Sequence, residues 1–262
     1  MQRVVSKDAT SIAFDRSGRG PAVVLVGGAF QHRAIDQRTA QLAALLAERF
    51  TVVHYDRRGR GDSADTMPYA VEREVEDLGA LIKAAGGSAH VFGMCPRGRF
   101  SPWRQRRAAF PSRSWRCTSR RSTPEAPTRQ ASEAYARQLD GLLAQGLRGD
   151  AVALAMMTFG APPQAVEGMR HAPVWQLFGS VAPTLAYDAA IMGDGSVPAR
   201  RLSTVRVPAL VIAGGASPEF MHSAAAAAAA AMPDARHRKL DGQTHDVAPE
   251  VLAPVLAEFF SG

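Results

Sequence analysis

The sequence predicts an α/β fold: a mostly parallel central sheet flanked by helices, with a helical cap inserted into it. Short apolar runs such as residues 22–26 suit strands that are buried on both faces. Glycine-rich turns end several of these runs, and segments with one apolar face follow them. Strands that alternate with helices favour right-handed crossovers between parallel strands. With 262 residues, 46% of them hydrophobic, the chain can form one large domain with a buried core.

The first half of the chain supplies most of the predicted strands. An N-terminal hairpin is predicted at residues 3–6 and 11–14, because a turn separates two short apolar runs. Further strands are predicted at residues 22–26, 51–55 and 89–92. Leucine, valine and isoleucine recur on one face of two segments between these strands, which predicts helices at 37–49 and 71–85.

The second half contains a helical insertion and the end of the sheet. Residues 131–199 have helical patterns without clear strands, and we predict that they form the cap, leaving residues 1–130 and 200–262 as the core. A helix containing eight consecutive alanines, residues 224–231, is expected to face solvent because alanine fills little packing volume. The last strands and the closing helix are predicted at 207–213, 235–240 and 251–259.

The net charge of +7 comes from one segment. Residues 96–123 contain nine arginines and no lysine or acid, so the rest of the chain carries 7 − 9 = −2. A basic surface would indicate nucleic acid as a partner, but here the basicity is confined to this segment. Binding of nucleic acid by the segment itself is one alternative. We expect a small-molecule substrate, with neither nucleic acid nor a membrane as a partner.

Targeting and metal-binding patterns are missing from the sequence. No apolar run reaches transmembrane length, and residues 1–6 lack the apolar stretch of a signal peptide, so we expect a cytoplasmic location. The two cysteines do not suggest a disulfide framework, and no paired Cys or His spacing suits zinc. We therefore expect no cofactor and no metal.

A damaged nucleophile elbow follows the strand at 89–92. In the intact motif the nucleophile stands two residues after one small residue and two before another, on a strained turn from strand to helix. Gly93 and Cys95 fit this spacing, but Arg97 takes the second small position and Gly98 comes one residue late. A buried structural thiol is the alternative interpretation of Cys95.

Turns at the ends of four predicted strands together indicate a family. They are residues 27–29 (GGA), residues 55–63 (YDRRGRGDS), residues 93–95 (GMC) and residues 242–247 (GQTHDV). In this order and after these strands they resemble the α/β-hydrolase family. The resemblance covers most of the chain except residues 96–128.

The resemblance implies hydrolysis of an ester or related acyl bond. His245 would be the general base, Cys95 would stand at the nucleophile position, and the Ala29 N–H would lie in the oxyanion hole. Asp56 and Arg57 would brace a structural turn rather than take part in catalysis.

The acid of the catalytic triad is harder to assign. In the family it usually lies about three residues after the glycine that ends the penultimate strand, and counting from Gly214 reaches Ser217. We predict that Glu219 substitutes for it. Asp246 is less suitable because the side chains of neighbouring residues rarely meet in hydrogen-bond geometry. Asp188 and Asp194 in the cap are more distant candidates.

One departure from the family bears on activity. Cys95 is followed by Pro96, which has no N–H to contribute to the oxyanion hole. Losing one such donor costs roughly 2.7–4 kcal/mol, or about a hundred- to a thousandfold in rate, so impaired hydrolysis is expected. Two alternatives are a thiol hydrolase of the dienelactone-hydrolase type that uses Cys95, and a non-catalytic member of the fold that binds a small ligand under the cap. The missing acid at Ser217 favours the second.

Several apolar residues of the cap suit either an acyl pocket or the contact between cap and core. They are Met156, Met157, Phe159, Trp175, Phe178 and Tyr187.

We hypothesise that a frameshift spans roughly residues 95–125. Codons compatible with residues 100–122, read from one base earlier, can encode VLALEAAARGLP followed by VTKLALYEPPF. The first segment predicts an amphipathic helix and the second a buried strand, the two elements that this fold needs after its elbow. The same frame read backwards permits Gly-Met-Ser-Ser-Gly, an intact serine elbow.

Sequencing the coding DNA across codons 90–130 tests the frameshift hypothesis. We expect a small insertion or deletion whose correction restores Gly-Met-Ser-Ser-Gly, so that the native protein carries a serine nucleophile and lacks the basic segment. DNA that encodes Cys95-Pro96-Arg97 in the native gene would rule the frameshift out and favour the non-catalytic alternative.

Overall fold

The computed structural model describes residues 1–95, 115–119 and 129–262. Its strands are β1 (Gln2–Val5), β2 (Ser11–Ser17), β3 (Ala22–Val26), β4 (Thr51–Tyr55), β5 (Ala89–Cys95), β6 (Trp115–Ser119), β7 (Ala209–Gly214) and β8 (Ala235–Leu240). Its helices are α1 (Gln37–Leu46), α2 (Val71–Ala84), α3 (Arg129–Ala144), α4 (Arg148–Thr158), α5 (Pro163–Met169), α6 (Val174–Val181), α7 (Leu185–Met192), α8 (Ala199–Leu202), α9 (Glu219–Ala230) and α10 (Pro249–Ser261). A 3₁₀ turn, Ala182–Thr184, joins α6 to α7.

The strands form one mixed sheet in the order β1-β2-β4-β3-β5-β6-β7-β8. The N-terminal hairpin pairs antiparallel with itself and with β4, and every pairing from β4 to β8 is parallel. The predicted fold class, a mostly parallel sheet flanked by helices with a helical insertion, is therefore confirmed.

Side chains from the central strands alternate between two buried faces. Val23 and Leu25 of β3 belong to the apolar cluster under α1 and α10, whereas Val24 belongs to the cluster under α2. The same alternation in β7 directs Val211 towards α9. Because helices cover both faces of the sheet, the central strands are apolar along their whole length and do not alternate apolar with polar residues. This pattern allowed the strands to be predicted from the sequence.

The insertion between the strands consists of α3 to α7 and the 3₁₀ turn. It has an apolar centre of its own, with Leu139, Ala151, Val152 and Leu185 buried among the helices. This centre also takes in Phe30 from the loop after β3, so the insertion lies against the carboxyl end of that strand. The division into a cap at residues 131–199 and a core on either side stays a prediction.

The backbone of Trp115–Ser119 forms β6, although the basic segment has no strand periodicity in its sequence. This strand pairs through its backbone with β5 on one side and β7 on the other. Strands pair through hydrogen bonds between backbone N–H and C=O groups, which do not depend on the pattern of the side chains. The periodicity of the sequence therefore did not reveal β6. Residues 96–114 and 120–128 lie outside the described residues. Our predictions for Pro96, Arg97 and the rest of these two stretches therefore stay predictions.

The alanine-rich helix α9 does not face solvent as a whole. Ala225 and Ala228 are 1% and 5% exposed and pack against β7, whereas Ala226 is exposed. Small side chains let the helix approach the sheet closely, so on this face alanine fills a narrow space. The expectation of a solvent-side helix was wrong for these two residues.

Enlarging a buried alanine of α9 tests this close approach. Ala225→Leu should lower the free energy of unfolding by about 1–3 kcal/mol, because the added carbons overpack the space between helix and sheet. Ala226→Leu adds the same atoms one position away, on the exposed side, and should stay within about 0.5 kcal/mol of the parent. Urea unfolding of both variants gives the comparison, and equal effects would contradict it.

Candidate active site

The predicted site residues lie at one edge of the sheet. Cys95 is the last residue of β5, Ala29 lies three residues after the end of β3, and His245 lies in the loop between β8 and α10. Since these strands run parallel, their carboxyl ends meet at the same edge. The side chain of Cys95 and all of Pro96 are outside the described residues, so the nucleophile stays a prediction.

The loop after β3 is a tight turn. The Gln31 side chain accepts a hydrogen bond from the Gly28 N–H, and Phe30 has a left-handed φ of 61°. The Gly28 carbonyl accepts a hydrogen bond from Arg60 Nη1 at 2.5 Å. The Ala29 N–H has no hydrogen-bond partner within residues 1–95, 115–119 and 129–262. This N–H group is therefore available as the hydrogen-bond donor that an oxyanion hole would require.

The loop that carries His245 packs against the end of β7. The Gly215 N–H donates to the Leu240 carbonyl at 2.6 Å, and the Ala216 N–H donates to the Gln243 carbonyl at 2.8 Å. A Cβ on Gly214 would lie 2.0 Å from the Thr244 carbonyl oxygen, so only glycine fits there. These contacts fix the backbone immediately before the half-buried His245.

Three candidates for the triad acid, and the serine at the position where the family's acid usually lies, have different environments. Glu219 is the exposed first residue of α9, with no hydrogen bond or ion pair to the described residues, and its role stays a prediction. Asp246 forms an exposed ion pair with Arg38. Asp188 is bound by two buried arginines. Ser217 is buried, and its hydroxyl has no hydrogen-bond partner in the described part of the chain.

The turn after β4 is braced as the resemblance implies. The buried Asp56 carboxylate accepts hydrogen bonds from the backbone N–H groups of Arg33 and Asp62, at 2.7 and 2.9 Å. Gly61 has a φ of 52°, and a Cβ there would lie 2.4 Å from Asp56 Oδ2. Arg58 is fully buried and binds Asp77 and Asp8. These contacts hold the turn to the loop after β3, to the connection between β1 and β2, and to α2.

A second set of buried charges joins this turn to the insertion. Arg57 binds Glu74 of α2 through Nε and Nη2, and its Nη1 lies 2.6 Å from Asp188 Oδ1. Arg60 Nη2 lies 2.6 Å from Asp188 Oδ2, and its Nε donates to Thr184 Oγ1 at 2.9 Å. Two cations and two carboxylates therefore balance in a region that excludes water.

The pKa values of Arg57 and Arg60 shift in opposite directions in this environment. Burial acts to lower the pKa of Arg57, but Glu74 and Asp188 outweigh it and raise the pKa well above its usual value. Burial and the neighbouring Arg57 lower the pKa of Arg60, with Asp188 opposing them. An arginine pKa starts so high that both side chains stay protonated at neutral pH. Sequence reasoning missed the roles of Arg60 and Thr184, because nothing in the motif indicates which partners the insertion would supply.

Most of the apolar residues proposed for an acyl pocket pack within the insertion or against the core. Phe159 and Tyr187 are buried; the Tyr187 ring stacks on Tyr69 at 3.8 Å, and its hydroxyl binds Asp65 at 2.5 Å. Phe178 contacts Phe30 edge to face. Met156, Trp175 and Phe178 are partly buried against the same centre, whereas Met157 is 42% exposed.

The described residues offer no metal site: none of their His, Cys, Asp and Glu side chains form a group of three or more that could hold an ion. Within the same residues, no helix combines the length and the hydrophobicity needed to cross a membrane.

Solved structures share this fold. An α/β hydrolase from Sphaerobacter thermophilus DSM 20745 is 46% identical, with a TM-score of 0.83, and the match covers 99% of this chain and 100% of that one. A hydrolase from Pseudomonas aeruginosa PA01 is 23% identical, with a TM-score of 0.71 and coverage of 100% and 98%. The esterase RhEst1 from Rhodococcus sp. ECU1013 is 20% identical, with a TM-score of 0.67 and the same coverage.

The identity of 46% over nearly the whole chain decides the family, whereas the two more distant structures support the fold alone. No protein-family model matches the chain, and no curated protein sequence does. The chain belongs to the α/β-hydrolase family, as the resemblance of its turns predicted. The general class that this membership supports is that of hydrolases.

Substituting Gly214 tests the contact that holds the His245 loop. Gly214→Ala should lower the free energy of unfolding by about 1–3 kcal/mol, because the new methyl group meets a backbone carbonyl that cannot move aside. Gly141→Ala is the control: a Cβ there, inside α3, meets nothing within 4 Å and should stabilise the helix by about 0.4–1 kcal/mol. Thermal and urea unfolding measure both, and an unchanged Gly214→Ala would contradict the contact.

Proposed function

We propose that this chain carries the site of a hydrolase that cleaves an ester or related acyl bond of a small molecule. The observation that carries the proposal is the unpaired Ala29 N–H. It lies at the sheet edge where β5 ends and where the His245 loop is anchored. A donor with no partner among the described residues, at the same sheet edge as the histidine loop and the end of β5, suits the stabilisation of an oxyanion.

In the proposed mechanism His245 accepts the proton of the nucleophile at position 95, which attacks the carbonyl carbon of the substrate. The carbonyl oxygen becomes an oxyanion, which the Ala29 N–H stabilises. His245 then donates the proton to the leaving group as the tetrahedral intermediate collapses to an acyl-enzyme. Water, deprotonated by His245, hydrolyses the acyl-enzyme and restores the nucleophile.

We infer further that the native nucleophile is a serine supplied by the alternative reading frame. The position of β6 supports this inference. Its Arg116 is in register with Phe92 and Leu210, which are 1% and 5% exposed. A strand between two buried parallel strands is ordinarily apolar. The alternative frame places Leu-Ala-Leu-Tyr-Glu at the same five positions as Trp115–Ser119. This segment has an apolar residue where Arg116 stands, as a strand between two buried strands requires.

The second candidate function is binding of a small ligand without catalysis. Ser217 favours it, because a buried serine occupies the position where the family's acid usually lies. Pro96 favours it as well, because the second oxyanion donor would be missing. The thiol hydrolase that uses Cys95 shares the difficulty at Pro96.

Hydrolysis of p-nitrophenyl acetate distinguishes these functions. The chain as written should turn over slowly, and a form with the frame restored to Gly-Met-Ser-Ser-Gly should be about a hundred- to a thousandfold faster, because it regains the second oxyanion donor. In the restored form His245→Ala should reduce kcat by about 10⁴-fold or more, whereas His237→Ala, on an exposed part of β8, should not change it.

Each function has its own outcome in this assay. Turnover by the chain as written that Cys95→Ala abolishes would favour the thiol hydrolase. No turnover by either form, together with saturable binding of phenyl acetate in calorimetry, would contradict the hydrolase proposal and support a binding protein.

A further inference from the structure

The direction of the Ala29 N–H is determined by the peptide unit to which it belongs. A peptide is planar, and in its trans form the C=O of one residue and the N–H of the next point in opposite directions. Among the described residues the one cis peptide is Met67-Pro68, so the Gly28–Ala29 peptide is trans. Whatever binds the Gly28 carbonyl therefore also sets where the Ala29 N–H points.

Arg60 is the group that binds this carbonyl most closely. Its Nη1 donates to the Gly28 carbonyl oxygen at 2.5 Å and to the Gln31 carbonyl oxygen at 3.4 Å. The Gln31 N–H also donates to the Gly28 carbonyl oxygen, at 3.4 Å. A hydrogen bond from a charged guanidinium is stronger than one from a neutral donor, so Arg60 dominates the orientation. The peptide carries this constraint through to the opposite side, where the Ala29 N–H is unpaired.

The remaining donors of Arg60 are held by the insertion. Asp188 of α7 accepts from Nη2, and Thr184 of the 3₁₀ turn accepts from Nε. Thr184 is itself fixed, because its hydroxyl also donates to the Val181 carbonyl at 2.7 Å. Residues of the insertion thus hold Nε and Nη2 on one side of the guanidinium plane, while Nη1 donates to the loop after β3 on the other.

We propose that Arg60 is a positioning residue for the oxyanion hole, and that Asp188 and Thr184 transmit the placement of the insertion to the Ala29 N–H. The proposal deepens the hydrolase function and rests on it where turnover is concerned. It assigns the insertion a role besides the predicted one of a cap: the proposed oxyanion donor is aligned only while α7 and the 3₁₀ turn, which supply Asp188 and Thr184, are seated on the core.

The competing explanation is that Arg60 merely stabilises the fold, and Arg58 provides the control for it. Arg58 lies in the same turn, is equally buried, and is held by the Asp77 and Asp8 carboxylates. Its hydrogen bonds reach those residues and the Arg73 carbonyl, none of which belongs to the loop after β3. Loss of stability alone should therefore affect Arg58→Lys and Arg60→Lys alike, whereas loss of positioning should affect only Arg60→Lys.

Nuclear magnetic resonance of the full chain can observe Ala29 directly. With ¹³C-carbonyl glycine and ¹⁵N-alanine, a carbonyl-to-amide correlation selects Gly-Ala pairs, of which the sequence has four: Gly28-Ala29, Gly79-Ala80, Gly160-Ala161 and Gly215-Ala216. We expect Arg60→Lys and Asp188→Asn to shift the Ala29 signal while the signals of Ala80 and Ala216 stay in place. Arg58→Lys should leave Ala29 unshifted.

A milder pair of variants keeps the test decisive if the charged ones fail to fold. Thr184→Val removes the acceptor of Arg60 Nε without changing any charge, and it should shift the Ala29 signal. Thr184→Ser keeps the hydroxyl, so its Ala29 signal should have the same position as in the parent. An Ala29 signal that is the same in folded Thr184→Val and Arg60→Lys as in the parent would overturn the proposal, and so would an equal shift in Arg58→Lys.

Turnover gives the catalytic half of the test. In whichever form hydrolyses p-nitrophenyl acetate, Arg60→Lys should lower kcat about ten- to a hundredfold with little change in KM, because orientation matters most once the oxyanion forms. Shifted Ala29 signals with unchanged kcat would overturn the positioning role. If no form turns over, the hydrolase function fails, but the resonance data still decide whether Arg60 orients this peptide.

Discussion

The buried ion pairs between Asp188 and two arginines are the contact on which the arrangement of this protein depends. One carboxylate from the insertion, Asp188, pairs with both Arg57 and Arg60, which start in the turn after β4 and reach α2 and the loop after β3 respectively. Removing one partner of such a pair typically costs 3–5 kcal/mol, because the remaining charge stays buried. The insertion, the sheet edge and the proposed oxyanion donor are therefore tied together by electrostatics, with apolar packing around Phe30 alongside.

The histidine side of the site depends on a different physical constraint, namely steric fit. The end of β7 and the His245 loop approach so closely that a side chain at Gly214 has no room, and hydrogen bonds from the next two residues complete the contact. This leaves the backbone before His245 well fixed, while the acid that would orient its imidazole has no counterpart at Ser217. The candidate site thus combines a fixed loop for the proposed base, His245, with a serine at the position where the family's acid usually lies.

Sequence reasoning recovered the fold because the fold is expressed in local patterns. Ala22–Val26 and Thr51–Tyr55 were predicted at their observed bounds, since parallel strands covered on both faces must be apolar along their whole length. It missed β6, whose pairing is carried by backbone groups, and it misjudged α9, where burial of Ala225 and Ala228 follows from close approach to the sheet rather than from hydrophobic bulk. In both cases the deciding interaction was with another element of the fold, which the local sequence pattern does not express.

Apart from β6, the sequence by itself determined the order of the strands and of the helices around them, the family to which the turns belong, and the positions of Ala29 and His245 after their strands. Those features follow from hydrophobic periodicity and from turns whose glycines are needed locally. Only the tertiary structure decided that Asp188 is bound by Arg57 and Arg60, that Arg60 reaches the Gly28 carbonyl, and that the Ala29 N–H has no partner in the part of the chain that the structure describes. The reason is physical: a buried charge takes its partner from whichever element folds against it, and sequence distance carries no information about that choice.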